Sequence, residues 1–324
     1  VSDGPLSLAG RVVDGDVTAV ARVLTLVERG HPDVEGVMRE LYRVSRDAHV
    51  IGITGPAGSG KSTLTTCLAV HYVDHGRRVG IIAVDPSSVF TGGAILGDRI
   101  RMGALSGNEG VFIRSMAARG ALGGLSRAVS DAVAVLSAAG YEVVIVETLG
   151  VGQAEVDVIT VAETVLVVSV PGLGDSVQAL KAGLLEIADI HVVNKSDREG
   201  AHQTAGELKE MLRLARRRPH QWNVPVLMTA ASTGSGIPEL VDEMAHHRAW
   251  LVKDGSVEVH RRRNAETRLD QAVQDAVRRR LVERGPDVAT SLDRILVRGS
   301  DPITEADHLL DLICEGSIHA PSDR

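Results

Sequence analysis

The sequence predicts an α/β fold: a mostly parallel sheet flanked by helices, with helical extensions at both ends of the chain. Two observations lead there. Between residues 49 and 250, short β-branched runs alternate with segments of helical spacing, and each run closes on Gly, Asp, Glu, Asn or Ser. Outside that span the strand signal stops while the helical one continues. The chain therefore divides into a helical extension over 1–48, an α/β domain over 49–250 and a C-terminal helical segment over 251–324.

Residues 5–48 read as helical throughout. "DVTAVARVLTLVERG" places Val17, Val20, Val23 or Leu24, and Val27 on one face, with Gly30 as the stop. "DVEGVMRELYRVS" follows Pro32 as a second, shorter helix. From residue 49 the expected strands are "HVIGITG", "VGIIAVD", "EVVIVET", "TVLVVSVPG", "DIHVVNKSD" and "VPVLMTAAS". Ligands of such sheets sit beyond the carboxyl ends of the strands, where the polar punctuation of these runs falls. After about residue 240 the strands stop. "AETRLDQAVQDAVRRRLVERG" carries Leu269, Ala272 or Val273, Ala276 or Val277, and Leu281 at helical spacing, and Gly285-Pro286 ends it. That apolar face needs a partner, either the domain or another subunit. The closing "SIHAPSDR" is expected to fray.

Composition narrows the function. Of 324 residues 44% are hydrophobic and 24% charged, as in a globular chain. Aromatic residues make up 2%, so Val, Ile, Leu and Ala must fill the core, and base-stacking surfaces are disfavoured. A net charge of −7 argues against a nucleic-acid binder. Cys67 and Cys314 are too few for a disulfide framework or a cysteine zinc site, and suit a reducing compartment. With no basic-then-apolar leader and no long apolar run, no membrane span is expected and a cytoplasmic location is.

"GPAGSGKST", residues 55–63, follows an expected strand and opens an expected helix, the context a phosphate-binding P-loop requires. Its residues are Gly55, Pro56, Ala57, Gly58, Ser59, Gly60, Lys61, Ser62 and Thr63. The glycines let successive N–H groups turn inward on phosphate oxygens, and the helix adds its positive end. Lys61 supplies a charge to the β/γ-phosphates, and Ser62 offers a hydroxyl to Mg²⁺. "NKSD", residues 194–197, ends a later strand. There Asp197 would accept from guanine N1–H and the exocyclic amine, Asn194 would face N7, and the Lys195 stem would cover the base. Adenine would leave Asp197 unpaired, which discriminates strongly. In "TAASTGSGIPEL", Ala230, Ala231 and Ser232 would complete the base pocket, with an N–H near Ala231 meeting O6. The two sets together predict binding of GTP and GDP.

Glu147 closes the strand "EVVIVET", where a buried carboxylate is costly without a cation. The ion held by Ser62 is that cation, met directly or through a water, and Gly150 would bond the γ-phosphate through its N–H. Asp85 would support the metal shell or orient the attacking water. Asp98 lies in a Gly-rich stretch beside Arg99 and Arg101, reading equally as a metal-seeking switch residue or an exposed loop acid. "PGLGDSVQALKAG" opens a helix with Asp175 as its cap and Lys181 on it. The twelve histidines, His246 and His247 included, show no metal-ligand spacing, and Cys67 is expected to pack in the core.

Taken together, "GPAGSGKST", "DPSS…TGGAILGDRIRM", "FIRSMAARGALGGL", "VETLGVGQAEVDV", "VPGLGDSVQALKAG" and "VVNKSD" closely resemble the MeaB/ArgK/MMAA family of P-loop GTPases associated with methylmalonyl-CoA mutase. The resemblance spans roughly residues 10–300. It implies a GTP-hydrolysing chaperone that gates cofactor loading, protection or reactivation of an adenosylcobalamin-dependent acyl-CoA mutase on a separate chain. It also implies Lys61, Asp85, Asp98 and Glu147 as the catalytic set; Ser62, Asp85, Asp98 and Glu147 around Mg²⁺; switches near 148–155 and 172–183, with Lys181 signalling to the mutase; and a homodimer formed through the C-terminal helices. Leu149 and Ala154 depart from the residues common in the family. A metal-insertion GTPase would want a Cys-x-Cys or His-rich element. A transport-linked kinase or ATPase would gain nothing from Asp197.

Overall fold

Seven parallel strands build the sheet of this computed structural model, which describes residues 5–31, 33–86, 105, 107–118, 124–148, 161–172, 186–214, 222–283 and 285–318. The strands are β1 His49–Thr54, β2 Val79–Pro86, β3 Val111–Ala118, β4 Val143–Thr148, β5 Thr164–Ser169, β6 Ile190–Val193 and β7 Val226–Met228. Their order is β3-β2-β4-β1-β5-β6-β7, with every neighbouring pair parallel. The chain builds one half outward from β1, then crosses it to begin the other half at β5. That crossing is the switch point where open α/β sheets bind ligands.

The six strands expected from sequence are all present. The seventh, β3, is an edge strand whose apolar run is interrupted. Phe112 and Met116 are buried, while Arg114 between them pairs with Glu28 at 2.6 Å. A single protected edge does not need the continuous apolar pattern of a central strand, so its signal is weak.

Helices cover both faces. α1 Pro5–Val13, α2 Val17–Arg29 and α3 Val34–Val44 precede the sheet; α4 Lys61–Asp74, α5 Gly124–Ala138, α6 Ala201–Leu214 and α7 Ile237–Asp254 connect or follow its strands. Adjacent strand residues serve opposite cores, as the two-residue strand period requires. Ile82, Val144 and Val146 pack with Val20, Leu24 and Leu41 of the N-terminal helices and Leu136 of α5. Ile81, Ile145, Ile51 and Ile53 pack with Leu64 and Leu68 of α4 and Leu240 and Met244 of α7. In α2, Asp16 accepts from the Thr18 and Ala19 N–H groups at 2.8 and 3.1 Å, and left-handed Gly30 (φ 62°) closes the helix. Val20, Val23, Leu24 and Val27 are buried as expected; Val17, in the first turn, is exposed.

A chain of polar groups runs beneath the sheet, at the starts of β1, β5 and β6. His49 Nε2 lies 2.9 Å from Thr164 Oγ1, which lies 3.0 Å from His247 Nδ1. His247 Nε2 is 3.4 Å from Asp189 Oδ1, while Asp189 Oδ2 accepts the Val165 N–H at 2.8 Å. Trp222 donates to the Asp189 carbonyl at 2.8 Å, its ring 4.9 Å from that of His247. Burial pushes the Asp189 carboxyl up from 3.8 to about 7, against the Val165 hydrogen bond. Burial, with Arg248 and His247 adding to it, pushes His49 down from 6.5 to about 3.

The chain separates into two compact units, Val1–Asn264 and Ala265–Arg324. α8 Ser256–Glu283 runs across that boundary, and α9 Gly285–Leu296 and α10 Pro302–Ile318 follow. Asp301 caps α10 through the Ile303 and Thr304 N–H groups at 2.9 and 3.1 Å. Along α8, Leu269 and Val273 are exposed.

The Asp189 carboxyl gives a pH prediction. The fold holds a proton that the unfolded chain releases between 3.8 and about 7, so its contribution to stability falls as pH rises through that window. Asp189→Asn should therefore gain unfolding free energy relative to the parent as pH rises from about 4 to about 8, in urea titrations. A pH-independent difference would show that the carboxyl is not held protonated.

Candidate functional site

The loop between β1 and α4 is shaped by close approach on two sides. Gly55 has φ 139°, and a Cβ there would lie 2.1 Å from the Val168 carbonyl oxygen of β5. Gly60 caps α4 in the left-handed region at φ 87°, and its Cβ would lie 2.5 Å from Asn194 Nδ2. Neither position admits a side chain, so the loop seats against β5 and the end of β6. Lys61 is buried at the first turn of α4, its Nζ donating to the Gly55 and Pro56 carbonyls at 2.8 and 3.0 Å. The ammonium is thereby folded back over the loop at the positive end of the helix.

Beside it, Ser62 Oγ donates to Glu147 Oε1 at 2.6 Å. The register explains the meeting: Ile53 of β1 pairs with Glu147 of β4, so the last turn of β4 lies against the start of the loop. Thr148 reinforces the junction by donating to Thr54 Oγ1 at 3.1 Å. Glu147 is only 2% exposed. A buried carboxylate joined to a hydroxyl at a helix N-terminus supplies oxygen ligands of the kind Mg²⁺ takes, leaving its other positions to phosphate oxygens and water. In β2, the Asp85 backbone pairs with Ala117 one residue beyond the Val84–Thr148 pair, which brings that strand end beside β4. The Asp85 side chain, and Asp98, Gly150, Asp175 and Lys181 entirely, lie outside the described residues.

The base-side residues converge on the same loop. Asn194, buried at the end of β6, donates from Nδ2 to the Ser59 carbonyl at 2.9 Å. Its Oδ1 accepts from Thr229 Oγ1 and from the Ala231 N–H, both at 3.2 Å. One side chain thus ties the phosphate loop to the loop after β7. Lys195 adopts φ 56°, and its Nζ donates to the Gly58 carbonyl at 2.8 Å, laying the stem across the space between the loops. Asp197 is exposed, its carboxylate open to a ligand. Of the N–H groups near Ala231 expected to face O6, that of Ala231 donates to Asn194 Oδ1 and that of Ala230 to the Ser235 carbonyl at 2.9 Å, while Ser232 is exposed.

Cys67 does more than fill the core. It is half-buried, and its thiol donates to the Ala231 carbonyl at 2.9 Å, while burial pushes its pKa up. No spacing rule links α4 to a loop so far along the chain, so the sequence alone carries no sign of this contact. Thr54, Thr148 and Thr229 carry no such signal either, because threonine at a strand end fits ordinary β-propensity. Among the described residues, no group of three or more His, Cys, Asp or Glu is arranged to hold a metal.

A family model described as methylmalonyl Co-A mutase-associated GTPase MeaB matches residues 20–285. A Pyrococcus horikoshii protein carrying a provisional GTPase name is 44% identical over 308 residues, covering 94% of this chain and 97% of its own. The Mus musculus protein called methylmalonic aciduria type A homolog, mitochondrial, is 30% identical over 283 residues, or 82% of this chain and 68% of its own. A crystal structure of LAO/AO transport system kinase matches with a TM-score of 0.67 at 25% identity, covering 97% of this chain and 99% of that one.

Asn194→Ala removes three hydrogen bonds and leaves a buried carbonyl, hydroxyl and N–H to find new partners. It should lower unfolding free energy by roughly 3 kcal/mol in denaturant titrations, with guanine nucleotide affinity falling in parallel. An unchanged midpoint would show that the clasp is dispensable.

Proposed function

This chain belongs to the MeaB family of methylmalonyl-CoA mutase-associated GTPases, and from that premise we propose that it is a GTP-driven chaperone of an adenosylcobalamin-dependent acyl-CoA mutase. Hydrolysis of GTP to GDP and phosphate is its reaction. Methylmalonyl-CoA mutase is the partner favoured first, and the mouse relative's name points the same way. The chaperone step gates cofactor loading, protection or reactivation of the mutase, which is a separate chain. The reading rests on one observation above others: Asn194 joins the phosphate loop and the base loop, so both ends of a nucleotide fall to one pocket.

In this reading Lys61 exchanges its carbonyl partners for the β- and γ-phosphate oxygens, while the first N–H groups of α4 face the same charge. Ser62 and Glu147 would hold Mg²⁺, which when bound would neutralise charge on the β- and γ-phosphates. Asp85 orients water or supports that shell, Asp98 joins the acidic set when GTP is present, and the Gly150 N–H reports the γ-phosphate. Asp197 takes the guanine N1–H and amine, and the Lys195 stem covers the base. One solved relative is named as a transport system kinase; a base site built on Asp197 favours guanine over the adenine such a kinase would use. The exposed Leu269 and Val273 support a homodimer through the C-terminal helices.

Three measurements test the proposal. Lys61→Ala should abolish turnover, since the transition-state charge loses its cation. Asp197→Asn should weaken GTP and admit xanthosine nucleotides in calorimetry; unchanged guanine affinity would remove Asp197 from the base site. A candidate mutase should be retained on the immobilised protein in a GTP-analogue-dependent way and raise its GTPase rate. Retention that ignores the nucleotide would reject the chaperone role.

A further inference from the structure

A cavity of about 730 Å³ lies at the opposite end of the sheet from the phosphate loop, where β1 and β4 begin and α4 ends. Its size falls in the range of small-molecule sites. The wall contributed by α7 is aliphatic, with Val241, Ala245, Ala249 and Val252, and the sheet adds Val143. His49 and Tyr72 supply polar atoms without charge: burial drives the imidazole down to about 3 and the phenol up to about 12.

Four charged side chains line the cavity: Asp47, Glu142, Arg77 and Arg248. Their charges cancel, so a ligand with a net charge of either sign is disfavoured. Arg77 is closely paired with Glu142. Arg248 is held loosely. Its guanidinium sits 3.6 Å from Asp47 Oδ2 and 3.6 Å from Glu163 Oε2, both beyond hydrogen-bond length, and it donates to the Asp47 carbonyl at 3.4 Å. The Asp47 side chain is 66% exposed and can turn toward an incoming cation. A guanidinium fork without a tight carboxylate partner is suited to planar, two-point recognition of one.

We propose that this cavity binds a small zwitterion with an aliphatic body, its carboxylate entering the Arg248 fork and its ammonium facing Asp47. The ligand inserts into the long Arg248–Asp47 pair, each of its charged ends gaining a short contact, while Glu163 stays on the far side of the guanidinium. Its body covers the valine and alanine surface of α7, and the neutral floor adds no opposing charge. The site is independent of the nucleotide pocket and stands whether or not a mutase is the partner.

Saturation-transfer NMR on the full chain with L-norleucine tests this, with hexanoate and hexylammonium as analogues that each lack one charge. Norleucine methyl signals should show transfer, and each analogue should bind more weakly. Val252→Trp, at an exposed rim position, should close the mouth and remove the signal while the thermal melt is retained. Arg248→Gln should weaken norleucine roughly five-fold. The proposal is overturned if norleucine shows no transfer, if both variants keep the full signal, or if either analogue binds as tightly as norleucine.

Discussion

The candidate nucleotide pocket depends on one buried amide. Asn194 satisfies a carbonyl in the phosphate loop, a hydroxyl at the end of β7 and an N–H in the loop beyond it. These segments come from distant parts of the chain, and no apolar packing alone would set their spacing to a fraction of an ångström. Hydrogen bonds do, because their geometry is narrow and leaving a buried group unsatisfied is costly. The glycine at position 60 completes the arrangement, since any Cβ would push into the amide. The phosphate side and the base side are therefore one object.

Much of this was legible from the residues. The strand runs, the loop "GPAGSGKST" and the Asn-Lys-Ser-Asp set carry their chemistry in local spacing, and the parallel register then delivers Glu147 to Ser62. What sequence could not carry is contact across distance. The thiol of Cys67 reaching the Ala231 carbonyl, and the engagement of the Ala231 N–H by Asn194, follow from how α4 and the β7 loop are stacked. β3 escaped for a different reason. An edge strand with an arginine in its middle satisfies the sheet through its backbone and leaves little apolar pattern.

The two ends of the sheet solve opposite electrostatic problems. At the carboxyl ends, the Lys61 ammonium and the buried Glu147 carboxylate, with Ser62 on it, bring full charges together at a helix N-terminus. At the amino ends, His49, Thr164, His247 and Asp189 form a buried line of short polar contacts, in which burial disfavours charge on His49 and Asp189. β1 and β6 span the distance between them: His49 opens the strand that feeds the phosphate loop, and Asp189 precedes the strand that ends at Asn194. A hydrogen-bonded buried line of this kind fastens the strand starts to one another.

The posture of Lys61 has a kinetic corollary. Its ammonium is already held by two carbonyl oxygens, so on the proposed reading an arriving triphosphate would bind by ligand exchange. Each departing phosphate likewise hands the lysine back to waiting acceptors. On the proposed reading, such placeholders would keep the lysine ligated both before and after each turnover.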